Sequence, residues 1–241
     1  MSIKSIIKNL LKLSPVALSK NHGYDIKTKK ILRKVLKKSS NCIDVGCHKG
    51  EILDLILSIS PQGTHYGFEP IPDLHHDLVN KYIANPNCNI SPFAASNKKG
   101  ESSFNYVVSN PSYSGLKKRS YDKKNEQDKI IKVQTDKLDD LIPANLKIDL
   151  IKIDVEGGEL LVLEGSRKIL AEYNPVIIFE HGLGASDYYD VGPNQIFTYF
   201  DGLGYSIYTL DQFLNNAAPL TQKELHEQFY SRKNYYFIAS A

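Results

Sequence analysis

Beyond Asn41 the apolar residues come in short runs separated by stretches in which they recur every three to four positions, so strands and helices are expected to alternate. The runs predict strands at Cys42–Val45, His65–Phe68, Asn89–Phe93, Leu150–Ile153, Val176–Phe179, Ser206–Thr209 and Tyr235–Ala239. The helical periods between them predict helices at Glu51–Ser58, Pro72–Ala84, Glu159–Ala171 and Asn194–Gly202. This rhythm belongs to an α/β domain, a mostly parallel sheet with helices on both faces, whose ligands bind beyond the carboxyl ends of the strands. Two stretches break it. Ser102–Val108 and Lys129–Gln134 alternate apolar and polar residues one by one, as an inserted antiparallel hairpin would. The polar segment 110–128 joining them carries Lys117, Lys118, Arg119, Lys123 and Lys124 and is expected to be a mobile loop rather than a buried one.

Ahead of Asn41 the pattern is helical and basic. Ile3, Ile6, Ile7, Leu10 and Leu11 share one face, with Lys4, Lys8 and Lys12 on another, until Pro15 interrupts them. Such a helix either caps the domain or lies on an anionic membrane or a partner. A second helical stretch, Asp25 to Lys38, reads as a solvated outer helix leading into the core. The chain therefore divides into a basic extension, residues 1–40, and a main domain, residues 41–241.

Charge strengthens that division. The total is 30 basic against 27 acidic side chains, a net charge of +3 over 241 residues, which suits one soluble globular domain and excludes disordered or collagen-like readings. Residues 1–40 hold eleven of the basic side chains against Asp25 alone, a net +10; the remaining 19 basic and 26 acidic side chains give the body −7. No run approaches the roughly 20 apolar residues that span a bilayer, and no compact signal sequence opens the chain, so the expected location is the cytoplasm or the edge of a membrane. Three cysteines, Cys42, Cys47 and Cys88, without a CxxC pair argue against disulfides and thiolate zinc and for small buried hydrophobes.

The candidate chemistry lies in the acidic body. Ile43-Asp44-Val45-Gly46-Cys47-His48-Lys49-Gly50 reads as a strand, a tight turn and a helix start, where glycine admits close backbone approach and helix amides supply donors. The next strand ends in Phe68-Glu69-Pro70, which places a carboxylate where both hydroxyls of a ribose can be accepted. The Gly46-x-x-x-Gly50 spacing is not the G-x-G-x-x-G of dinucleotide sites, nor is there a phosphate loop. A cofactor with a ribose, no phosphate and an amino acid end fits, and S-adenosylmethionine is such a molecule. A third cluster, Asp149 to Glu159, ends a buried strand in Asp154 and Glu156 beside a glycine pair, with Glu159 favouring the following helix N-terminus. Glu180-His181 arrives at the same edge on the next strand, so Asp154, Glu156, Glu180 and His181 are the candidate acid/base groups.

Taken together these pieces resemble the FkbM family of S-adenosylmethionine-dependent methyltransferases, over roughly Asn41 to Ala239. The most specific segment is Leu150-Ile151-Lys152-Ile153-Asp154-Val155-Glu156-Gly157-Gly158-Glu159 followed by Leu163-Glu164-Gly165. Asp44 to Gly50, Phe68-Glu69-Pro70, Ala94-Ala95-Ser96 with Gly100, Leu138-Asp139-Asp140 and Pro175 to Glu180 appear in the family's order. The resemblance implies a Rossmann-like class I methyltransferase fold with a seven-stranded sheet whose last strand is antiparallel. It implies O-methylation of a sugar, glycan or other small hydroxylated metabolite. It also implies that Asp44, Gly46 and Gly50 line the methionine end, that Glu69 holds the ribose, and that Ala95 and Ser96 lie near the adenine. Cys47 and His48 in the turn, Pro70 after Glu69, and Asp154 complete the expected cofactor set. The basic extension and the lysine-rich loop fall outside the resemblance.

A hydroxyl needs a general base, and the order of preference is Glu156, Glu180, His181, then Asp154, the last also able to orient cofactor or loop backbone. A divalent metal on Asp154, Glu156, Glu180 and His181 is set aside, because carboxylates beside a donor-rich turn are satisfied without one; no metal is expected. Two other classes compete: a nicotinamide-dependent oxidoreductase, disfavoured by the glycine spacing, and an inactive cofactor-binding relative acting through its basic front. Nucleic acid is not an expected partner, since the positive charge lies outside the acidic face and is not interleaved with stacking aromatics.

Overall fold

The computed structural model describes residues 19–121 and 125–241; the amphipathic stretch from Ile3 to Leu11 lies outside the described residues. In chain order the elements are α1 (Lys20–Val35), β1 (Cys42–Val45), α2 (Glu51–Ile59), β2 (His65–Phe68), α3 (Pro72–Tyr82), β3 (Cys88–Ser91), β4 (Ala94–Ala95) and β5 (Gly100–Val107). They continue with β6 (Asp128–Asp136), α4 (Leu138–Leu141), β7 (Leu150–Ile153), α5 (Glu159–Glu164), α6 (Arg167–Tyr173), β8 (Val176–Glu180), α7 (Pro193–Asp201), β9 (Ser206–Thr209), α8 (Leu210–Leu214), α9 (Gln222–Tyr230) and β10 (Tyr236–Ser240). Seven strands form one sheet in the order β3-β2-β1-β7-β8-β10-β9, and only β10 runs antiparallel to its neighbours, β8 and β9. This is the class I methyltransferase architecture. The order reverses at β1, where β7 lies on the side opposite β2, and that switch point is where the site is built.

Period-two alternation gives the sheet its two faces. Ile43, Ile151, Ile153, Ile177, Phe179 and Phe237 bury themselves beneath α5, α6, α7 and α9. Cys42, Leu150, Ile178 and Ile238 face the other way, against Tyr24, Ile31 and Leu32 of α1, Ile56 of α2 and Leu210 of α8. α1 is thus no solvated outer helix. Ile31 and Leu32 are fully buried on the sheet, and Lys27 and Lys34 tie the helix to Asp211 and to the Phe213 carbonyl. The basic residues sit on one side of an amphipathic helix whose apolar side completes the core.

The hairpin expected from 102–108 and 129–134 is present as β5 and β6, joined by β4 into a separate three-stranded sheet. One predicted helix is broken: 159–171 divides into α5 and α6 around Gly165-Ser166. The cause is tertiary. A side chain at Gly165 would meet the Ser96 carbonyl oxygen at 2.0 Å, and Asp139 caps the new N-terminus by accepting from the Lys168 and Ile169 amides. The short helices α4, α8 and α9 were not foreseen, although Thr221 and Glu224 form a capping box at the start of α9. Among the described residues no helix is long and apolar enough to cross a membrane.

Candidate functional site

Because β1, β7 and β8 pair in parallel, Asp44, Lys152 and Ile178 stand in register on the face that α1 covers, and Asp154 follows Lys152 by two residues on that same face. A buried polar column results. Lys152 Nζ lies 3.6 Å from Asp44 Oδ1 and 3.2 Å from Asp154 Oδ2. Burial alone would lower the lysine's pKa, but Asp154 and Asp44 together raise it, so it stays a cation. Asp154 also accepts a hydrogen bond from the Tyr236 hydroxyl and shares one with Glu180. Burial opposes its ionisation, yet Lys152 and these hydrogen bonds hold its pKa below the usual range. Glu180 is pushed well above its ordinary value, first by burial and then by the Asp154 charge, so it is the member of the pair that keeps the proton.

Asp44 is different. It is fully buried, its pKa is raised by burial, and neither carboxylate oxygen has a hydrogen-bond partner among the described residues. The turn that follows brings in Glu69. Gly46 and Cys47 both donate backbone N–H to the Phe68 carbonyl, which clamps the β1 turn to the end of β2. Glu69 Oε2 then accepts from the His48 amide at 2.9 Å and Oε1 from the Ile71 amide at 3.0 Å. A carboxylate has about four acceptor positions, so each oxygen keeps one for a ligand. Burial, partly offset by those two amides, raises the Glu69 pKa to about 7.

Asp44 and Glu69 open into one cavity of about 250 Å³ at the carboxyl ends of the strands. Ile71, Phe93, Ala95 and Phe104 contribute apolar lining, and Asp154, Glu156, Tyr189 and Tyr236 polar lining. Tyr24, Asp25 and Thr28 of α1 also reach it. Among the described residues, 110–121 of the lysine-rich segment pack partly against the cavity instead of standing off in solvent. Ser114 is buried, Ser112 and Leu116 line the cavity, and Tyr189 Oη accepts from the Lys117 amide at 2.9 Å. Arg119 donates through Nη1 to Glu156 Oε2, with both side chains about 15% exposed, and lies 5.0 Å from the Tyr113 ring centre. Glu156 itself sits in a left-handed backbone conformation, φ +58°.

Of the expected site residues, Asp44, Gly46, Cys47, His48, Glu69, Pro70, Ala95, Asp154 and Glu156 border this cavity. Four do not. Gly50 lies under Tyr82, whose hydroxyl donates to its carbonyl; a Cβ there would sit 2.3 Å from that oxygen, so the glycine serves packing. Gly46, in a left-handed turn at φ +76°, likewise makes room for protein: its Cβ would fall 1.9 Å from the Asp154 carbonyl oxygen. Ser96 is buried against Gly165 and donates its amide to Asp136. Glu180 stands behind Asp154 as a protonated partner. His181 is turned into the core against Phe229, ring centres 4.7 Å apart, with neither nitrogen partnered among the described residues, and burial lowers its pKa to about 3. It cannot reach a ligand in the cavity.

Sequence reasoning missed Lys152, Tyr236, Arg119 and the α1 residues. Lys152 alone carried a signal, being a lone charge inside an otherwise apolar strand. Asp154, Glu156 and Glu180 do offer oxygens within 4.8 Å of one another. Lys152 and Arg119 already supply positive charge to that group, and His181 is not part of it.

A family model described as the methyltransferase FkbM domain matches residues 44–207. Among solved structures, the methyltransferase FkbM from Methylobacillus flagellatus KT superposes with a TM-score of 0.52 at 16% identity, covering 86% of this chain and 44% of that one, so this chain spans less than half of that relative. Fibrillarin from Aeropyrum pernix, solved with natively bound S-adenosyl-L-methionine, gives 0.46 at 12% identity over 89% and 73% of the two chains. An rRNA methylase from Streptococcus thermophilus gives 0.45 at 14% over 88% and 91%. No curated protein sequence matches. The cavity's carboxylates suit S-adenosylmethionine: Asp44, without a hydrogen-bond partner among the described residues, offers acceptors to an ammonium, and Glu69 retains acceptors for a ribose diol. With its strand order and matched residues, the chain belongs to the FkbM family of S-adenosylmethionine-dependent methyltransferases.

Proposed function

We infer that the protein transfers a methyl group from S-adenosylmethionine to a hydroxyl of a sugar, a glycan or another small hydroxylated metabolite. The observation that carries this reading is one cavity lined by two carboxylates with unused acceptors, Asp44 and Glu69, and by a second acidic pair, Asp154 and Glu156. When bound, S-adenosylmethionine supplies an electrophilic methyl on a sulfonium whose positive charge is lost as the methyl departs.

The chain's own residues do the rest. Asp44 neutralises the ammonium and Glu69 accepts from the ribose hydroxyls, while Ile71, Phe93 and Ala95 present apolar surface to the base. Asp154 is fixed by Lys152, Tyr236 and Glu180, so it orients rather than accepts a proton. Glu180 already holds a proton and His181 faces the core. Glu156 remains: Arg119 takes Oε2 and leaves Oε1 to accept the proton of the attacking hydroxyl. Orientation of acceptor and donor supplies most of the acceleration, and a positioned base adds about 10² to 10⁴-fold. Glu156→Gln should therefore leave S-adenosylmethionine affinity within about twofold and depress turnover by at least about 10²-fold. The test is transfer of label from [methyl-³H]S-adenosylmethionine to fractionated glycans and metabolites, with cofactor binding followed by calorimetry. Binding without transfer to any acceptor would favour the inactive relative; absence of binding would reject the whole reading.

A further inference from the structure

Helix α1 lies outside residues 44–207, the span that matches the family model, yet it supplies part of the cavity lining. Positions 24, 28, 31 and 32 share one side of a helix, and on α1 that side is buried: Tyr24 and Thr28 are 5% and 6% exposed, and Ile31 and Leu32 are fully covered. Ile31 and Leu32 pack on the sheet, whereas Tyr24 and Thr28, one turn apart, line the cavity. A buried hydroxyl is costly without a partner, and that of Thr28 makes no hydrogen bond among the described residues. The strand order fixes which part of the cavity it faces. From β2, with Glu69 at its end, the sheet passes through β1 with Asp44, β7 with Asp154 beyond it, and β8, to β10 with Tyr236. The Tyr24 ring centre is 4.7 Å from that of Tyr235 and 5.1 Å from that of Tyr236, so α1 meets the cavity on the β10 side of Asp44, away from Glu69.

With the ribose at Glu69 and the ammonium at Asp44, α1 therefore faces the amino acid end of the cofactor. That end carries a carboxylate beside the ammonium, and a carboxylate needs donors. Asp44 and Asp154 are acids that supply only acceptors when ionised. The donors nearest them are spent: Tyr24 Oη donates to Asn234 Oδ1 at 2.9 Å, the Tyr236 hydroxyl donates to Asp154, and Lys152 Nζ is held between Asp44 and Asp154. Thr28 keeps its hydroxyl for a ligand.

We propose that Thr28 is a cofactor-binding residue, its hydroxyl donating a hydrogen bond to the α-carboxylate of the methionine moiety. The proposal rests on the placement of the ammonium at Asp44 and the ribose at Glu69. Tyr24 has a different part. Its hydroxyl, bonded to Asn234 and to the Tyr235 amide, fixes a ring that walls the cavity beside Thr28. The cofactor site is then built from two pieces of chain, the family's strand ends and a helix that precedes them.

Calorimetric titration of the full chain with S-adenosylhomocysteine and with 5′-methylthioadenosine, which has the same nucleoside and thioether but no amino acid end, tests this. Thr28→Val removes the hydroxyl and keeps the branched shape. It should weaken S-adenosylhomocysteine at least about tenfold, the scale of one hydrogen bond to a charged group, and leave methylthioadenosine within about twofold. Thr28→Ser, which restores a hydroxyl, should recover most of the loss. Were Thr28 only part of the wall or of the fold, Thr28→Val would change both ligands alike, and that result overturns the proposal. Unchanged affinity for S-adenosylhomocysteine in Thr28→Val, or no recovery in Thr28→Ser, overturns it as well. Each of these outcomes leaves wild-type binding of S-adenosylhomocysteine intact, whereas failure of the cofactor placement itself would show as a wild-type protein that binds neither ligand or does not distinguish them, and would overturn both.

Discussion

Glu69 should make cofactor affinity pH-dependent near neutrality. Raising a buried carboxyl from 4.5 to about 7 corresponds to a penalty of about 3.4 kcal/mol on its ionised form. The cause is burial at 4% exposure, which the His48 and Ile71 amides only partly offset. Two ribose hydroxyls would donate to the ionised carboxylate and not to a neutral acid's proton, so binding favours the deprotonated form and releases a proton as pH falls below about 7. If only that form binds, the dissociation constant for S-adenosylmethionine rises about 25-fold between pH 7.5 and 5.5. Calorimetry in buffers of different ionisation enthalpy reads both the affinity and the proton. Glu69→Gln should weaken binding at pH 7.5 by about 1.5 to 3 kcal/mol and flatten the profile. In the empty protein the sign is the opposite for folding. The folded state takes up this proton before the unfolded chain does, so stability contributed by Glu69 declines as pH rises from about 4.5 to 7. A flat affinity profile in the wild type, or the same slope in Glu69→Gln, would refute the ribose assignment.

Three further outcomes follow from packing and charge. Lys152→Met leaves Asp44 and Asp154 buried without their cation and should cost about 3 to 5 kcal/mol, read as a fall in Tm of about 6 to 20 °C; a loss below 1 kcal/mol would mean that the column is not ionised. Gly165→Ala should cost at least about 2 kcal/mol in urea unfolding, since its Cβ meets the rigid Ser96 carbonyl; wild-type stability would show that the α5–α6 break relaxes freely. His181→Met should keep turnover and remove the part of stability that is lost as pH falls from 6.5 toward 3, because the folded protein holds this histidine neutral where the unfolded chain protonates it. Loss of turnover in a folded His181→Met protein would restore it as a catalytic candidate.

The legible parts of this protein were those that local chemistry dictates. Apolar-rich runs of four or five residues marked all seven sheet strands, and one-by-one alternation marked the hairpin, because burial on two faces or on one leaves that trace in any short window. The turn at Asp44–Gly50 and the carboxylate Glu69 were readable for the same reason. Yet Gly46 and Gly50 were read as room for a ligand and turned out to make room for Asp154 and Tyr82. The strand end at 180–181 was placed correctly, but alternation sends Glu180 to the polar column and His181 to the core, and the sequence alone gave both the same edge.

What the sequence by itself determined is the order of elements, the parallel sheet and the acidic strand ends facing one edge, since each rests on residues a few positions apart. Tertiary structure alone decided which of those acids are already satisfied. Asp154 is held by Tyr236, 82 residues away, and Glu156 by Arg119, 37 residues away, whereas Asp44 has the Lys152 ammonium beside it at 3.6 Å but no hydrogen-bond partner among the described residues. Helix α1 became part of the cavity wall, and Ser112, Ser114 and Leu116 of the loop joined its lining. Hydrogen bonds and buried charge depend on distance in space, and separation along the chain carries no record of that until the sheet has closed the gap.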